Sequence, residues 1–354
     1  MNARPSGSGR VSLSEVARES GVSASIASRI LGGVPSVRAR QETRDRVKRV
    51  AKRLGYQPHG AARALRLSRN RAVGLVVHDI TNPIHAEIIH GAQAVLTKHG
   101  NAMLLADAEQ LAQNDAAFAE LLGPGRVDGL LWHGSGEAYD SAMITRAAAA
   151  IPTLLINSSS RVGVPAIHLD DGTAAEIAVE HLVSLGHRRI GFIGGSAGSD
   201  LTERREQGFR DALAAHRLPV DGSQLVRVGW EPADGAKGLA RILAESRPPT
   251  AVLVANVVIG SGALSAARER GLTVPTDLSM IAIHDSWFVD LASPAMTTVR
   301  LPLRQLGEEA VNRMLASTGR IEPGAEDRAS TTVIREPAPE LIVRETTAPA
   351  KDGK

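Results

Sequence analysis

Ser12-Leu-Ser-Glu-Val-Ala-Arg-Glu-Ser-Gly-Val-Ser-Ala-Ser-Ile-Ala-Ser-Arg-Ile-Leu31 reads as two short helices joined by a tight turn. Ser12 and Glu15 have the S-x-x-E spacing of a capping box, which satisfies free N–H groups at a helix start. Leu13, Val16 and Ala17 recur at i, i+3 and i+4, so one face is apolar. Gly21 supplies the turn, because glycine enters a left-handed conformation without steric cost. Ser23 is a second N-cap. Ile26, Ala27 and Ile30 are expected to form the buried face of the second helix, with Ala24, Ser25, Ser28 and Arg29 pointing outward. This is a helix-turn-helix pattern whose second helix has the small polar groups and single arginine that suit a major groove. An ordinary helical hairpin is the competing reading of these twenty residues.

Charge separates the two readings. The 354-residue chain has a net charge of only +3. Yet residues 1–70 carry 15 Lys+Arg against 4 Asp+Glu, a net of +11, and the remainder carries 26 against 34, a net of −8. A compact basic module on an acidic body points to a polyanionic partner for that module alone. Membrane phosphates are a weaker match, since no basic amphipathic helix with bulky apolar anchors is present. No apolar run reaches the length of a membrane span, and residues 1–10 lack a signal-peptide core, so a cytoplasmic location is expected. With no cysteine there is neither a disulfide nor thiolate chemistry.

After the helix pair, Gly32-Gly33-Val34-Pro35 breaks the chain. A third helix is predicted over 41–54, with Val47, Val50, Ala51 and Leu54 on one face and Arg44, Arg46, Lys48, Arg49, Lys52 and Arg53 on the other. Residues 59–68 form a short Ala-rich segment too short to be a stable helix alone, hence a conditional hinge. From residue 71 strands and helices alternate. Strands are expected at 73–77, 102–105, 129–132 and 153–156, with helices at 83–99, 110–122 and 138–149. A second set begins near residue 166. Its helices are expected at 171–185, 201–216, 234–246 and 258–270, and its strands at 190–194, 225–228, 251–254 and 278–283. Such alternation predicts parallel sheets covered on both faces, here in two α/β lobes. Ligands of such sheets bind at the C-terminal ends of the strands, so two facing lobes bind in the cleft between them.

At this level of detail the chain resembles the LacI/GalR (lactose-repressor) family of transcriptional regulators. In the head the resemblance rests on Glu15-Val-Ala-Arg-Glu-Ser-Gly-Val-Ser23, Ser28-Arg29, Thr43-Arg44, Leu54-Gly-Tyr-Gln-Pro58 and Ala62-Arg-Ala-Leu65. In the body it rests on Asp79-Ile-Thr-Asn-Pro83, Asp171-Gly-Thr, His181-Leu-Val-Ser-Leu-Gly-His187, Arg205-Glu-Gln-Gly-Phe209, Val254-Ala-Asn256 and Thr297-Thr-Val299, in the family's order. It covers residues 11–345. It implies an α/β protein with an N-terminal helix-turn-helix DNA-binding domain (11–58), a hinge helix and linker (59–70) and a two-lobed periplasmic-binding-protein-like core of doubly wound parallel sheets (71–345). The N-lobe is expected over 71–167 and 297–327, the C-lobe over 168–296 and 328–345. It further implies a homodimer on pseudo-palindromic operator DNA, most simply a repressor, controlled by a small-molecule effector, with no cofactor, no metal and no membrane partner.

By the same resemblance Ala24, Ser25 and Arg29 read base edges. Arg29 has the chemistry for a bidentate pair with guanine, or alternatively for a phosphate. Ser12, Ser23, Ser28, Thr43 and Tyr56 match phosphate-contacting or nearby positions, and Leu65 matches a leucine that wedges into the minor groove with Ala62 facing the same groove. Three features depart from the family. Ile26-Ala27 replaces its usual Thr-Val, His59-Gly60 replaces an asparagine, and the loop at 32–40 is longer than in the family's namesake. In the cleft, Asp79, His133, Asn157, Ile167, Arg205, Trp230, Asn256 and His284 fall on ligand-lining positions. Trp230 suits either stacking on a ring or core packing, and His133 and His284 suit either lining or packing. Sugar-responsive members place an aspartate after the cleft asparagine, where this chain has Val257. With His284 able to add a cation beside Arg205, the cleft tilts towards an anionic effector such as a sugar acid or sugar phosphate; the alternatives are that Asp79 and Asp285 restore the lost acceptors, or that the cleft binds nothing.

Enzyme readings are weaker. Gly191-Phe-Ile-Gly-Gly-Ser-Ala-Gly198 follows a strand but lacks G-x-G-x-x-G spacing, and no P-loop, metal-ligand cluster or G-x-S-x-G elbow appears. Asp170-Asp171 reads as a helix N-terminus. A periplasmic binding protein shares the core architecture but has no basic head. The tail beyond Val343 lacks heptads, so a dimer is expected rather than a coiled-coil tetramer.

Overall fold

The computed structural model describes residues 11–32, 39–56, 70–134, 138–159, 163–220, 222–319, 321 and 331–351. The chain divides into two compact units, residues 1–71 and 72–354. Ala62 and Leu65, the segment 59–68 and most of the loop at 32–40 lie outside the described residues.

The first unit holds three helices, α1 (Leu13–Ser20), α2 (Ala24–Leu31) and α3 (Gln41–Leu54). The capping box forms as expected: Glu15 N–H donates to Ser12 Oγ at 3.3 Å, and Ser12 N–H donates to Glu15 Oε2 at 2.7 Å. Gly21 ends α1 with φ +64°, where a Cβ would be strained, and Ser23 Oγ accepts from Ile26 N–H at 3.3 Å to start α2. Val16, Ala17, Ala27, Ile30, Val47, Val50 and Ala51 form the core. Ile26 does not join it. It is 38% exposed, because the buried side of α2 is set by Ala27 and Ile30, and Ile26 lies on its flank.

The second unit contains two six-stranded sheets. The elements of the first half are β1 (Ala72–Val77), α4 (His85–Lys98), β2 (Ala102–Asp107), α5 (Ala108–Gln113), α6 (Asp115–Leu122), β3 (Leu130–His133), α7 (Ala138–Ala150), β4 (Thr153–Ile156) and β5 (Ala166–Leu169). Those of the second are α8 (Asp171–Ser184), β6 (Ile190–Gly194), α9 (Asp200–Ala215), β7 (Leu225–Arg227), α10 (Pro232–Leu243), β8 (Ala251–Val254), α11 (Val257–Glu269), β9 (Ser279–Ile283) and β10 (Thr297–Arg300). Then come α12 (Leu303–Ser317), β11 (Thr331–Ile334) and β12 (Glu340–Ile342). The strand orders are β11-β5-β4-β3-β1-β2 and β12-β10-β9-β8-β6-β7. Every pairing is parallel except β10 with β12. The central strands β3, β4, β5, β8 and β9 are buried along their whole length, as sheets covered on both faces require.

Three connections join the lobes, and they correct the expected boundaries. Strand 297–300 is expected in the first lobe with the helix that follows it. It instead pairs with β9 in the second sheet, through Thr297–Ile281 and Val299–Ile283, and the chain crosses only afterwards into α12. The segment 328–345 is likewise divided. β11 pairs with β5 in the first sheet and β12 with β10 in the second. Local chemistry moves two helices. The one expected from Pro83 starts at His85, after Asn82 Oδ1 accepts from Ile84 N–H at 3.1 Å. The one expected over 110–122 is two, broken at Asn114, whose Oδ1 caps α6 through Ala117 N–H at 3.0 Å.

The first lobe is closed by α12 lying on α4. A Cβ on Gly91 would stand 2.1 Å from the Arg304 carbonyl oxygen, and one on Gly307 would stand 2.1 Å from that of Ile88. Only glycine at both positions permits this backbone approach.

Candidate effector cleft and nucleic-acid interface

In the head, Ser23, Ala24, Ser25 and Arg29 lie on the exposed side of α2, and Ser28 is half-buried. Ser12 is exposed, with its hydroxyl engaged in the capping box. Thr43 is half-buried on α3, and Tyr56 packs against the head core. On α3 the exposed residues include Arg46, Lys48, Arg49, Lys52 and Arg53, while Arg44 turns back to donate to the Ala39 carbonyl at 3.3 Å. Arg53 pairs with Glu19 of α1 and ties the two helices.

Between the lobes lies a small cavity of about 40 Å³, lined from both sides. The first lobe supplies His78, Asn82, Ile84, His85, His133, Gly134 and Asn157; the second supplies Leu201, Arg205, Trp230, Asn256 and His284. Six of the eight expected lining residues therefore come together. Asp79 and Ile167 do not line it. Asp79, at φ +53°, turns its carboxylate into its own loop, where Oδ1 accepts from the Thr81 hydroxyl at 2.6 Å and Thr81 N–H at 3.0 Å. Ile167 is fully buried in the core with Leu131 and Ile156. Its carbonyl accepts from Asn157 N–H at 2.7 Å, so it positions a lining residue without being one. Among the polar lining side chains, the sequence did not single out His78, Asn82 and His85. They sit in and beside the run Asp79–Pro83, and that adjacency is the signal that could have found them.

The charges of the cleft differ from expectation. Arg205 is wholly buried and already committed. Its Nε donates to Asp171 Oδ1 at 2.9 Å, Nη1 to the Ala255 carbonyl, and Nη2 to His284 Nε2 at 2.7 Å. Asp171 sits at the start of α8. Burial pushes its carboxyl up, but Arg205 and Arg204 overrule that and hold it below the ordinary value. His284 is not a cation. Burial drives its pKa well below the ordinary imidazole value, and Arg205, His133 and His85 drive it the same way. His133 is also held well below by burial, then by His85 and His78. Burial likewise lowers His85, against the hydrogen bond it makes to the His78 carbonyl.

These neutral rings have fixed tautomers. Arginine can only donate, so His284 Nε2 accepts and Nδ1 carries the proton. A carbonyl can only accept, so His85 Nε2, 2.8 Å from the His78 oxygen, carries the proton and Nδ1 keeps its lone pair. Asn157 approaches His133 Nε2 through Nδ2 at 3.5 Å. Among the described residues, six buried side-chain polar atoms lack a partner, and four of them belong to this lining: His85 Nδ1, His133 Nδ1, Asn157 Oδ1 and His284 Nδ1. Asn256 uses Oδ1 to cap α11 through Ile259 N–H at 2.8 Å. Trp230 is half-buried and lies against Gly195, where a Cβ would come within 2.3 Å of the indole. Val257 is fully buried in the second lobe, and Asp285 is turned away to Arg300, Thr298 and Arg344.

Comparison with known proteins gives a match in each unit. The head, residues 12–59, matches the model for bacterial regulatory proteins of the lacI family, and residues 179–347 match the periplasmic binding protein-like domain. The HTH-type transcriptional repressor CytR of Escherichia coli is 33% identical over 304 residues, spanning 86% of this chain and 88% of that protein. The chain belongs to the LacI family. Among solved structures, a LacI family regulator from Mycobacterium smegmatis is 37% identical over 78% of this chain and 99% of its own, with a TM-score of 0.71. The lac repressor dimer bound to operator and the anti-inducer ONPF covers 96% of this chain and 100% of its own at 25% identity, with a TM-score of 0.78. As a LacI family member the chain is a DNA-binding transcriptional regulator with an effector-binding core, not an enzyme and not a free-standing binding protein.

Proposed function

We propose that this LacI family regulator binds a pseudo-palindromic operator as a homodimer in the cytosol and answers to an uncharged polar effector held in the interlobe cavity. On the DNA side Arg29, Ala24 and Ser25 meet base edges from α2, and Ser12, Ser23, Ser28, Thr43 and Tyr56 lie along the phosphates. Ala62 and Leu65 act in the minor groove. The exposure of the α2 residues and the +11 charge of residues 1–70 support this reading. Titrating an operator obtained by selection, across salt concentrations, tests it. Affinity falls steeply with salt, and Arg29→Ala relaxes the preference at one base pair. A wild-type affinity indifferent to salt overturns it.

For the effector, one observation carries the reading: four buried polar atoms without partners belong to residues that line a cavity whose only guanidinium is already paired with Asp171. That pairing, with a neutral His284, removes the free cations on which an anionic effector depends. The cavity offers a donor at His284 Nδ1 and acceptors at His85 Nδ1 and Asn157 Oδ1, beside the Trp230 ring. A neutral molecule with both hydroxyl or amide donors and acceptors, and one flat apolar face, satisfies all of these. An anion would bring a charge with no counter-charge, at a desolvation cost of several kcal/mol (about that order). Calorimetry against paired panels of neutral sugars or nucleosides and their acid or phosphate forms tests it. Binding confined to the charged forms overturns the reading.

A further inference from the structure

Arg205 of the cavity is preceded by a second arginine, Arg204, which takes no part in the lining. Its guanidinium reaches the other way. Nε and Nη2 donate to Asp171 Oδ2 at 3.1 and 2.9 Å, and Nη1 pairs with Asp200 one turn back on α9. The same group crosses between the lobes. Nη1 donates to Ser159 Oγ at 3.1 Å and Nη2 to the Asn157 carbonyl at 3.3 Å. Asp200 crosses with it: Oδ2 accepts from Ser159 N–H at 2.6 Å, and Oδ1 from the Ser158 hydroxyl at 3.2 Å. Ser158 and Ser159 follow β4 of the first lobe, whereas Asp200, Arg204 and Asp171 belong to helices of the second. Four hydrogen bonds to charged groups thus span the cleft. They are well shielded, since the side chains of Arg204 and Asp200 are only 18% and 15% exposed.

We propose that Asp200 and Arg204 form a clasp that holds the two lobes together and sets how readily the cleft closes on its effector. The proposal rests on the reading of the cavity as the effector site, and the clasp is wired to that site at two points. Asp171 shares its carboxylate, Oδ1 to Arg205 and Oδ2 to Arg204. Asn157 lines the cavity and accepts from Arg204 with its carbonyl. Its backbone, at φ +51°, is held in a conformation that favours asparagine. A ligand that pulls on Asn157 or Arg205 therefore shifts groups that also belong to the clasp. Because bonds to charged partners are stronger than neutral ones and form only when the lobes meet, they weight the closed arrangement over the open one. Arg204 and Asp200 are positioning residues in this account.

The chain has no cysteine, so two introduced ones are labelled cleanly. Exposed Ala119 on α6 and Ala233 on α10 follow β2 and β7, the edge strands farthest in each sheet from the crossovers, where lobe opening moves atoms most. Pulsed electron spin resonance is measured on Ala119→Cys/Ala233→Cys in the full chain, diluted into excess unlabelled chain. Adding Arg204→Met, or separately Asp200→Ala, is expected to raise the ratio of long to short distances at least about tenfold, since each removes two of the four cleft-spanning bonds and the loss of even one charged hydrogen bond amounts to about that factor. Asp211→Asn, on the same helix and outside the clasp, leaves the distribution unchanged. Asp200 caps no core residue, so its variant keeps the test open should Arg204→Met fail to fold. Distances in Asp200→Ala that superimpose on the parent overturn the proposal. Neither effector nor operator is present in this measurement, so its failure is separate from failure of the effector assignment.

Discussion

Replacing His284 with asparagine makes the acid sensitivity of the core measurable. Asparagine does not titrate, and it tolerates the left-handed backbone of this position, where φ is +68°. In the folded wild type, burial among Arg205, His133 and His85 keeps His284 neutral well below the ordinary imidazole pKa of 6.5. The unfolded chain takes up that proton as pH falls through about 6.5. Protons bound by the unfolded state then exceed those bound by the folded one, so stability falls as pH falls, and the penalty is absent above the unfolded pKa. Between about pH 7.5 and about pH 5.5 each such histidine removes about 1.4 kcal/mol. His133, held down in the same way, adds a similar loss, so the pair removes about 3 kcal/mol over this interval. His284→Asn should lose about half of that pH dependence, whatever its stability at neutral pH. All three tryptophans, Trp132, Trp230 and Trp287, belong to the second unit, residues 72–354, so urea unfolding followed by their fluorescence reports that unit alone. Protein concentration is held fixed, because dimerisation couples to stability. The low carboxyl pKa of Asp171 acts only below its unfolded value of 3.8 and so lies outside the window. The other histidines that burial holds below the ordinary value, His85, His168, His181 and His187, are common to both proteins and cancel in the difference. Parallel stability curves for wild type and variant would refute a neutral His284, and with it the uncharged cavity.

Two further expectations concern other parts of the molecule. Leu65→Ala should weaken binding to a selected operator and reduce its bending in circular-permutation gel shifts, while leaving non-specific binding nearly intact; an unchanged bend would exclude a wedge in the minor groove. Gly307→Ala forces a Cβ to within 2.1 Å of the Ile88 carbonyl, so α12 must move off α4. A loss of about 1–3 kcal/mol or more in thermal or urea unfolding is expected, and wild-type stability would show that the two helices do not cross as closely as described.

The sequence by itself determined the head and the alternation of the core. Capping pairs, a turn glycine and helical periodicity act over four or five residues, and Ser12, Glu15, Gly21 and Ser23 take the roles their spacing requires. The run of strands and helices likewise follows from local apolar patterns, and it led to two parallel sheets. What it did not reach was everything decided by partners distant in the chain. The membership of strand 297–300 depends on pairing with β9 rather than on its own composition, which is equally suited to either lobe. Ile26 is apolar yet exposed, because the direction of the buried face is fixed by the helices that pack on α2, α1 and α3, and not by α2 alone. The charge of the cavity shows this most clearly. An arginine beside a histidine reads as two cations, but tertiary structure brings Asp171, 34 positions away, against Arg205 and encloses His284 where a proton is disfavoured. Electrostatics in a buried site is set by which charges the fold brings within a few ångströms and how much water it excludes, and neither quantity is written in the spacing of residues along the chain.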